Sequence, residues 1–484
     1  MGGDRTERRI RLGFFWKFLE RFGVQGISFV IQIIIARILE IEYYGALSLM
    51  IAFTSIANVF IQTGFNSSLI QNKDVEDEDY SSVFWITLMI AIFLYTTFFF
   101  TAPIIFKLYS KTFLVQPFRV LAIILIIGAF NSIQLAKVTR EMNFKKIFFS
   151  NILATLVSGI VGIAMAIHGY GLWALVAQSI LNLSISTIVM FYTVNWRPRM
   201  ICNVKRLKEL FSYGWKLMLA SLLDTSYQEL QSLVIGKKYD SAILAYHDKG
   251  KRFPQFIMNA INGTVQSVML PAMSEKQDSS KDIKSLTQGS IALCSYIFFP
   301  LMIGLASIAE PIVKIVLTDK WLPCVPYLQI FCFNYALFPV HSCNLQAINA
   351  IGRSDLFLKL ELIKKAYGMI FLVIAVVCFR SPLAIAMMGL FTTLISWFVN
   401  AYPNKRLNGY SYKEQVMDLL PSYIMSIIMG GIVYFMRDAI NNEMVGVLVQ
   451  IIIGILVYLL LSIVLKPYPY RILMELIKRK TGSK

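Results

Sequence analysis

The chain has 484 residues, of which 57% are apolar and 15% are charged, and its mean hydropathy is +0.62. Soluble domains are usually about 45–50% apolar and about 25% charged, so this composition excludes a soluble globular domain, a disordered chain and a disulfide scaffold. The formal net charge of +18 would indicate nucleic-acid binding in a soluble protein, but in an apolar chain it is typical of basic loops on the cytoplasmic side of a membrane.

Apolar stretches of about 20 residues, the length that crosses a bilayer, occur fourteen times along the chain. Numbered as spans 1 to 14, they cover residues 14–36, 46–68, 82–106, 117–138, 148–168, 172–193, 212–236, 241–270, 287–309, 325–350, 356–378, 382–403, 419–437 and 444–465. These runs are continuous rather than alternating, which predicts helices and not barrel strands. The sequence therefore predicts an all-α polytopic membrane protein without a folded soluble domain.

The basic residues predict the orientation of the chain. With the N-terminus in the cytoplasm, Lys and Arg of the inner segments outnumber those of the outer segments by about three to one. The even number of spans then places both termini in the cytoplasm. The predicted inner loop 71–80 is acidic, but acidic residues contribute little to this rule.

Spans 1 and 2 carry polar side chains inside apolar runs. Lys17 and Arg21 share one helix face of span 1, and an ionised side chain at mid-bilayer costs roughly 2.5–3.5 kcal/mol, so it is expected to face a cavity or a partner. Arg21 is the deeper of the two, whereas Lys17 can also snorkel to the inner surface. Asn58, Gln62 and Asn66 form a stripe along span 2, which either joins helices, the favoured interpretation, or faces sugar.

The first twelve spans resemble two copies of a six-span unit. Phe15-Trp16-Lys17 opens the first copy, and Gly214-Trp215-Lys216 opens the second. Two such copies have the same orientation, and substrates of repeat transporters bind between the copies near the midplane. The predicted domains are residues 1–200, residues 201–403, and residues 404–484 with the appended spans 13 and 14. The basic linker 194–211 is either an ordinary inner loop or ends in an amphipathic helix on the inner leaflet.

Span 7 carries one cation and two carboxylates that matter for function. Lys216 has the position in the repeat that Lys17 has in span 1. Asp224 lies about 18 Å along the helix, where a carboxylate is either a proton or cation site or the partner of a lysine on another helix. Both interpretations stay open, and if a carboxylate of this span binds a proton or a cation, Asp224 and Glu229 are the candidates for ion coupling.

Span 8 has the densest charge cluster, which contains His247, Asp248, Lys249, Lys251 and Arg252. If the span begins near residue 241, the three cations lie about 12–17 Å below the outer surface. Three cations beside one carboxylate leave a positive field, which suits a phosphate-bearing ligand. A later start of the span would instead leave this cluster on the outer surface.

Several sequence features of enzymes are missing. The chain has no P-loop, no HExxH or comparable metal signature and no paired cysteine motif. Its outer loops are too short to build a catalytic site. We therefore predict no cofactor, no bound metal and no enzymatic activity.

In span 11, Glu361 neutralises Lys364 and Lys365 at helical spacing, so we interpret these charges as structural.

Four segments carry recognisable motifs. They are Tyr44-Gly45 with the downstream Thr63-Gly64-Phe65-Asn66-Ser67-Ser68-Leu69-Ile70-Gln71; Ser81-Ser82-Val83-Phe84-Trp85; Gly169-Tyr170-Gly171-Leu172-Trp173-Ala174-Leu175-Val176; and Tyr246-His247-Asp248-Lys249-Gly250-Lys251-Arg252-Phe253-Pro254-Gln255. These motifs resemble those of bacterial polysaccharide transporters, the Wzx-type O-antigen flippases of the multidrug/oligosaccharidyl-lipid/polysaccharide exporter superfamily. Where many members have Asn-Arg after the tyrosine of span 8, this chain has His247-Asp248.

This resemblance implies two six-helix bundles around a central cavity, with spans 13 and 14 appended. It implies export of an undecaprenyl-diphosphate-linked oligosaccharide across the bacterial inner membrane, by alternating access and coupled to a proton or sodium gradient, for O-antigen, capsule or exopolysaccharide synthesis. By position, Arg21, Lys249 and Arg252 are expected to bind the diphosphate with Lys251, and Lys17 and Lys216 to line the cavity. Membrane lipids and other polysaccharide assembly proteins are expected partners, and nucleic acid is not.

Three other functions remain open at this point. A multidrug antiporter of the same superfamily would need an acidic cavity, whereas cations outnumber carboxylates within these spans. A polysaccharide polymerase or ligase would need a large outer loop. A membrane-embedded assembly partner that transports nothing is compatible with the sequence.

Overall fold

The structure is a computed structural model that describes residues 16, 19, 23–71, 74–276, 279–437, 440 and 442–481. Regular elements in this described part are all helices. Contacts divide the chain into two compact units, which meet in sequence between Ala245 and Tyr246. The domain limits at residues 200 and 403 stay a prediction.

The first unit contains helices α1 to α9 and the first residues of α10. They are α1 (Gln25–Ile38), α2 (Ile41–Gln62), α3 (Gly64–Gln71), α4 (Asp77–Leu108), α5 (Val115–Leu121), α6 (Ile123–Arg140), α7 (Phe144–Ile167), α8 (Leu172–Thr193), α9 (Val204–Lys238) and α10 (Ser241–Ser274). A 3-10 turn, Thr112–Leu114, precedes α5.

The second unit contains the rest of α10 and all later helices. They are α11 (Ser280–Ser307), α12 (Ala309–Leu317), α13 (Val325–Ala336), α14 (Phe338–Ala350), α15 (Ser354–Cys378), α16 (Pro382–Leu407), α17 (Tyr412–Phe435), α18 (Glu443–Leu465) and α19 (Tyr468–Thr481). A 3-10 segment, Asp319–Cys324, precedes α13. The all-helical polytopic membrane fold predicted from the sequence is confirmed.

Ten helical segments of the described part are long and apolar enough to cross a membrane. They correspond to predicted spans 2 to 6, 9, 10 and 12 to 14. The four remaining predicted spans coincide with α1, α9, α10 and α15. The described part of α1 has only 14 residues, and the other three carry the charged side chains singled out above. The total of fourteen spans stays a prediction, and of the helices outside the apolar set α9 and α10 are the ones with candidate functional charges.

Breaks between helices interrupt predicted spans 2, 4 and 10. In span 2, α2 ends at Gln62 and α3 begins at Gly64, and α9 packs closely at this point. A Cβ atom on Gly214 of α9 would lie 2.2 Å from the carbonyl oxygen of Gly64. Span 4 begins earlier than predicted and consists of the 3-10 turn, α5 and α6.

The predicted repeat is visible in the order of elements. Residues 39–40 join α1 to α2, and residues 239–240 join α9 to α10. In each copy, the fourth span is built from a 3-10 segment followed by two helices. The basic linker 194–211 does not end in a separate helix, since its last residues, 204–211, form the first turns of α9.

Loops that were predicted to share a side of the membrane are paired within each unit. Asp77 accepts a 2.8 Å ion-pair contact from Lys137, and Asp79 accepts one of 3.1 Å from Arg206, so acidic loop 71–80 is matched by basic segments. At the opposite end, Lys111 Nζ donates to the carbonyl oxygen of Gly236 at 3.1 Å. Burial lowers the pKa of Lys111, and nearby Asp240 opposes that shift. These contacts agree with the predicted alternation of loops.

Candidate functional site

The first half of α10 holds the charge cluster predicted in span 8. The helix begins at Ser241, and the point along it at which span 8 enters the membrane stays a prediction. Lys249 to Arg252 therefore lie about 12–17 Å along the helix from its first residue.

His247 is fully buried in the second unit. Its ring packs edge-on against Tyr327 and Phe331 of α13, with centroid distances of 5.8 and 5.2 Å. Its Nδ1 lies 3.1 Å from an oxygen of Asp248, and its Nε2 has no hydrogen-bond partner among the described residues. The His-Asp pair at the family motif thus belongs to a packed helix contact.

Lys249 is enclosed by the same helix contact, with only 6% of its surface exposed. Its Nζ lies 5.4 Å from the centre of the Trp321 ring, which is a cation–π contact. The next residue, Gly250, explains the close packing, because a Cβ there would lie 2.7 Å from Cβ of Tyr327 and 2.8 Å from the backbone nitrogen of Leu328. A side chain at residue 250 would force the two helices apart.

Lys251 and Arg252 have different surroundings from Lys249. Lys251 is half-buried and Arg252 is exposed. The sequence grouped the three cations into one cluster, whereas the structure places the ammonium group of Lys249 against an aromatic ring. Arg252, with its planar guanidinium, is the exposed cation of this stretch and the group best suited to bidentate phosphate binding.

Helix α9 carries the predicted ion-coupling carboxylates. Asp224 and Glu229 are both half-buried. Gln228 donates a 2.7 Å hydrogen bond to Oδ2 of Asp224, one turn along the helix. Lys216 is exposed and forms no ion pair with a described residue. The predicted cavity residues Lys17 and Arg21 lie outside the described residues.

The amide stripe of span 2 lies on two helices, with Asn58 and Gln62 on α2 and Asn66 on α3. A Cβ on Gly128 of α6 would lie 3.4 Å from Oδ1 of Asn58 and 3.7 Å from Nε2 of Gln62. These two amides therefore pack against α6, as the helix-joining interpretation expects. Oδ1 of Asn58 and Oδ1 of Asn66 are buried without a hydrogen-bond partner among the described residues. The sugar-facing role stays a prediction.

A second polar centre, which the sequence analysis missed, lies in the second unit. Asn404 of α16 donates to Oδ1 of Asn344 on α14 at 2.8 Å, and Gln415 of α17 donates to the same oxygen at 3.2 Å. All three amides are fully buried. Asn400, Asn404 and Asn408 recur at every fourth residue, a pattern that could have indicated this network. On α15, Lys364 pairs with Glu361 at 2.5 Å.

A family model described as "Polysaccharide biosynthesis protein" matches residues 34–326. Curated relatives cover most of the chain. The teichuronic acid biosynthesis protein TuaB of Bacillus subtilis is 23% identical, covering 86% of this chain and 87% of its own length. The succinoglycan biosynthesis transport protein ExoT of Rhizobium meliloti is 20% identical, covering 91% and 89%. The lipopolysaccharide biosynthesis protein WzxC of Escherichia coli is 21% identical, covering 84% of each.

Solved structures share the fold at lower identity. The inward closed conformation of the lipid II flippase MurJ aligns with a TM-score of 0.76 at 17% identity, covering 96% of this chain and 99% of that one. An inward-facing multidrug resistance transporter of the MATE family and the MOP superfamily aligns with a TM-score of 0.61 at 15% identity, covering 81% and 99%. These similarities show the fold alone.

Proposed function

The chain belongs to the polysaccharide biosynthesis protein family, and on this basis we propose that it is a flippase that moves an undecaprenyl-diphosphate-linked oligosaccharide across the bacterial inner membrane. The observation that carries the proposal is the range of the relatives. Their names refer to teichuronic acid, succinoglycan and lipopolysaccharide, and one is called a transport protein. Membrane passage of a lipid-linked precursor is a step that such different glycans can share.

The charge pattern supports an anionic substrate. Cations occur in α9 and α10 in spite of their insertion cost, which favours a role in binding. In our proposal the diphosphate binds Arg252 and Lys251, while Lys249 adds to the local positive field. Lys17, Arg21 and Lys216 complete the proposed set from the sequence.

A second part of this proposal is that transport is coupled to an ion gradient. Asp224 is a half-buried carboxylate that holds a neutral amide partner, Gln228, at 2.7 Å. A half-buried carboxylate on a membrane helix is a candidate site for a proton or a sodium ion. We assign the coupling to Asp224, with Glu229 as the second carboxylate on the same helix, and we place both termini in the cytoplasm. The family's transporters also support the proposal that the chain performs no enzymatic chemistry.

The test of the site is charge reversal at Arg252. Arg252→Glu should abolish surface polysaccharide and cause lipid-linked oligosaccharide to accumulate, whereas Arg252→Lys should retain most of the product because a cation remains. Lys413→Glu, a reversal at an exposed residue of a predicted inner loop, is the matched control. Membrane levels of each variant are compared by immunoblot. Normal polysaccharide with Arg252→Glu would show that the phosphate site is wrong.

A further inference from the structure

An apolar groove runs between α1 and α7 on the first unit. Its volume is about 370 Å³, within the range of about 300–1,000 Å³ that is usual for small-ligand sites. It is lined by Gly26, Ile27 and Val30 of α1 and by Leu156, Ile160 and Ile163 of α7. The described residues of this lining carry no charged or polar side chain, so the groove suits a hydrocarbon chain.

Tight packing at glycine closes one side of this groove. A Cβ on Gly159 would lie 2.2 Å from Cδ1 of Ile31, so the isoleucine fills the space that a side chain would need. The other side is open, since Val30 is 55% exposed and Ile160 is 66% exposed. Gly26 has no atom within 4 Å of its Cβ position. The missing side chain at Gly26 therefore widens the groove.

A cation and aromatic rings lie further along the same seam between the helices. Lys145 Nζ is 5.7 Å from the centre of the Trp16 ring and 5.9 Å from that of Phe149. Trp16 also packs against Phe148 at 5.4 Å. Lys145 is exposed and precedes Leu156 and Ile160 by about 16–22 Å along α7. The seam thus has a basic end, in a predicted inner segment, and an apolar groove beyond it.

We propose that this groove binds the polyprenyl chain of the lipid-linked substrate, with the diphosphate at Lys145, as a loading position at the inner leaflet. This inference rests on the proposed function. Charge complementarity favours this occupant, because Lys145 lies at one end of the seam and the described residues that line the groove are apolar. A polyprenyl diphosphate has the same order of groups, with one anionic head and one hydrocarbon chain. Burial of that chain provides affinity, and the cation fixes the direction in which it lies.

The binding test uses a polyprenyl diphosphate with a diazirine in its chain, the purified full-length protein in nanodiscs, and peptide mapping of the label. Label is expected on the segment of α7 around Leu156 and Ile160. Gly26→Leu places a side chain in the groove without a clash and should lower that label about tenfold. A tenfold loss corresponds to about two chain carbons that are no longer buried. Gly431→Leu is the matched control, because that helical glycine also has no atom within 4 Å of its Cβ position.

Two further probes distinguish the possible occupants of the groove and test the role of the cation. Lys145→Gln should weaken labelling by the diphosphate probe but not by a neutral polyprenol probe. A diazirine phospholipid should label the groove weakly and be displaced by polyprenyl diphosphate. Equal phospholipid labelling that polyprenyl diphosphate does not displace would identify an ordinary lipid contact and overturn the inference.

Labelling and transport are measured separately so that the two proposals can fail separately. Transport by the wild-type protein without label on α1 or α7 would contradict binding in the groove but not the flippase function. Label on the groove without any transport would support the groove and contradict the flippase function.

Discussion

Asp79 shows how single residues account for the acidic loop that the charge pattern of the sequence left unexplained. Its side chain is 6% exposed and meets Arg206 at 3.1 Å. The same carboxylate also accepts a 3.1 Å hydrogen bond from the backbone nitrogen of Glu76, so it caps α4 and pairs with α9 at once. Hydrogen bonds with Glu209 and Asp79 raise the pKa of Arg206. The acidic loop is therefore a structural partner of the basic linker.

A double-mutant cycle with Asp79→Asn and Arg206→Gln should give a coupling of about 1–3 kcal/mol in the free energy of unfolding, because each single change leaves one partner unsatisfied. The pair Asp77 and Lys137 is the control. Asp77 is 55% exposed, so its coupling should stay below about 1 kcal/mol. Denaturation of the protein in nanodiscs measures both coupling energies. Equal values would contradict the expectation that the buried pair is coupled more strongly than the exposed pair.

At the scale of elements, glycines decide where helices touch. Gly250 lets α10 approach α13, and Gly45 of α2 leaves room for Ser241, whose carbonyl oxygen would lie 1.7 Å from a Cβ at residue 45. The sequence predicted the helices and most of their bounds from apolar length. It could not predict that Lys249 would face Trp321, since the contact depends on which helices pack together. For the same reason the amide network of Asn344, Asn404 and Gln415 was missed.

Gly250→Ala should destabilise the protein by about 1–3 kcal/mol, the usual cost of overpacking. Two of the close atoms belong to the backbone of the neighbouring segment and cannot rotate away. Gly289→Ala in α11 is the matched control, because no atom lies within 4 Å of its Cβ position. Thermal unfolding in nanodiscs compares them. A Gly250→Ala protein as stable as Gly289→Ala would contradict the packing described here.

At the scale of the whole molecule, composition and charge predicted the membrane class and the helical fold. These properties follow from burial in lipid and from the basic residues, which are visible in any single sequence. The surroundings of the candidate binding cations could not be predicted from the sequence in the same way. They depend on packing, as the different surroundings of Lys249 and Arg252 show.

The orientation prediction can be tested with two native cysteines. Cys202 and Cys378 are exposed, whereas Cys294, Cys324, Cys332 and Cys343 are buried. A membrane-impermeant maleimide should label Cys378 in intact spheroplasts and Cys202 only in inside-out vesicles. Cys202→Ser and Cys378→Ser identify each signal. Labelling of Cys202 from outside would reverse the proposed topology.

The central claim is that the chain moves a lipid-linked oligosaccharide, and transport by purified protein in vesicles tests it most directly. Vesicles are loaded with a fluorescent undecaprenyl-diphosphate oligosaccharide in both leaflets, and a sugar-specific enzyme outside reports the accessible fraction. The account predicts that wild-type protein makes the inner pool accessible, that Arg252→Glu does not, and that an imposed proton or sodium gradient changes the rate. An inner pool that stays protected, together with uptake of cationic dyes, would contradict the flippase function and favour a multidrug antiporter.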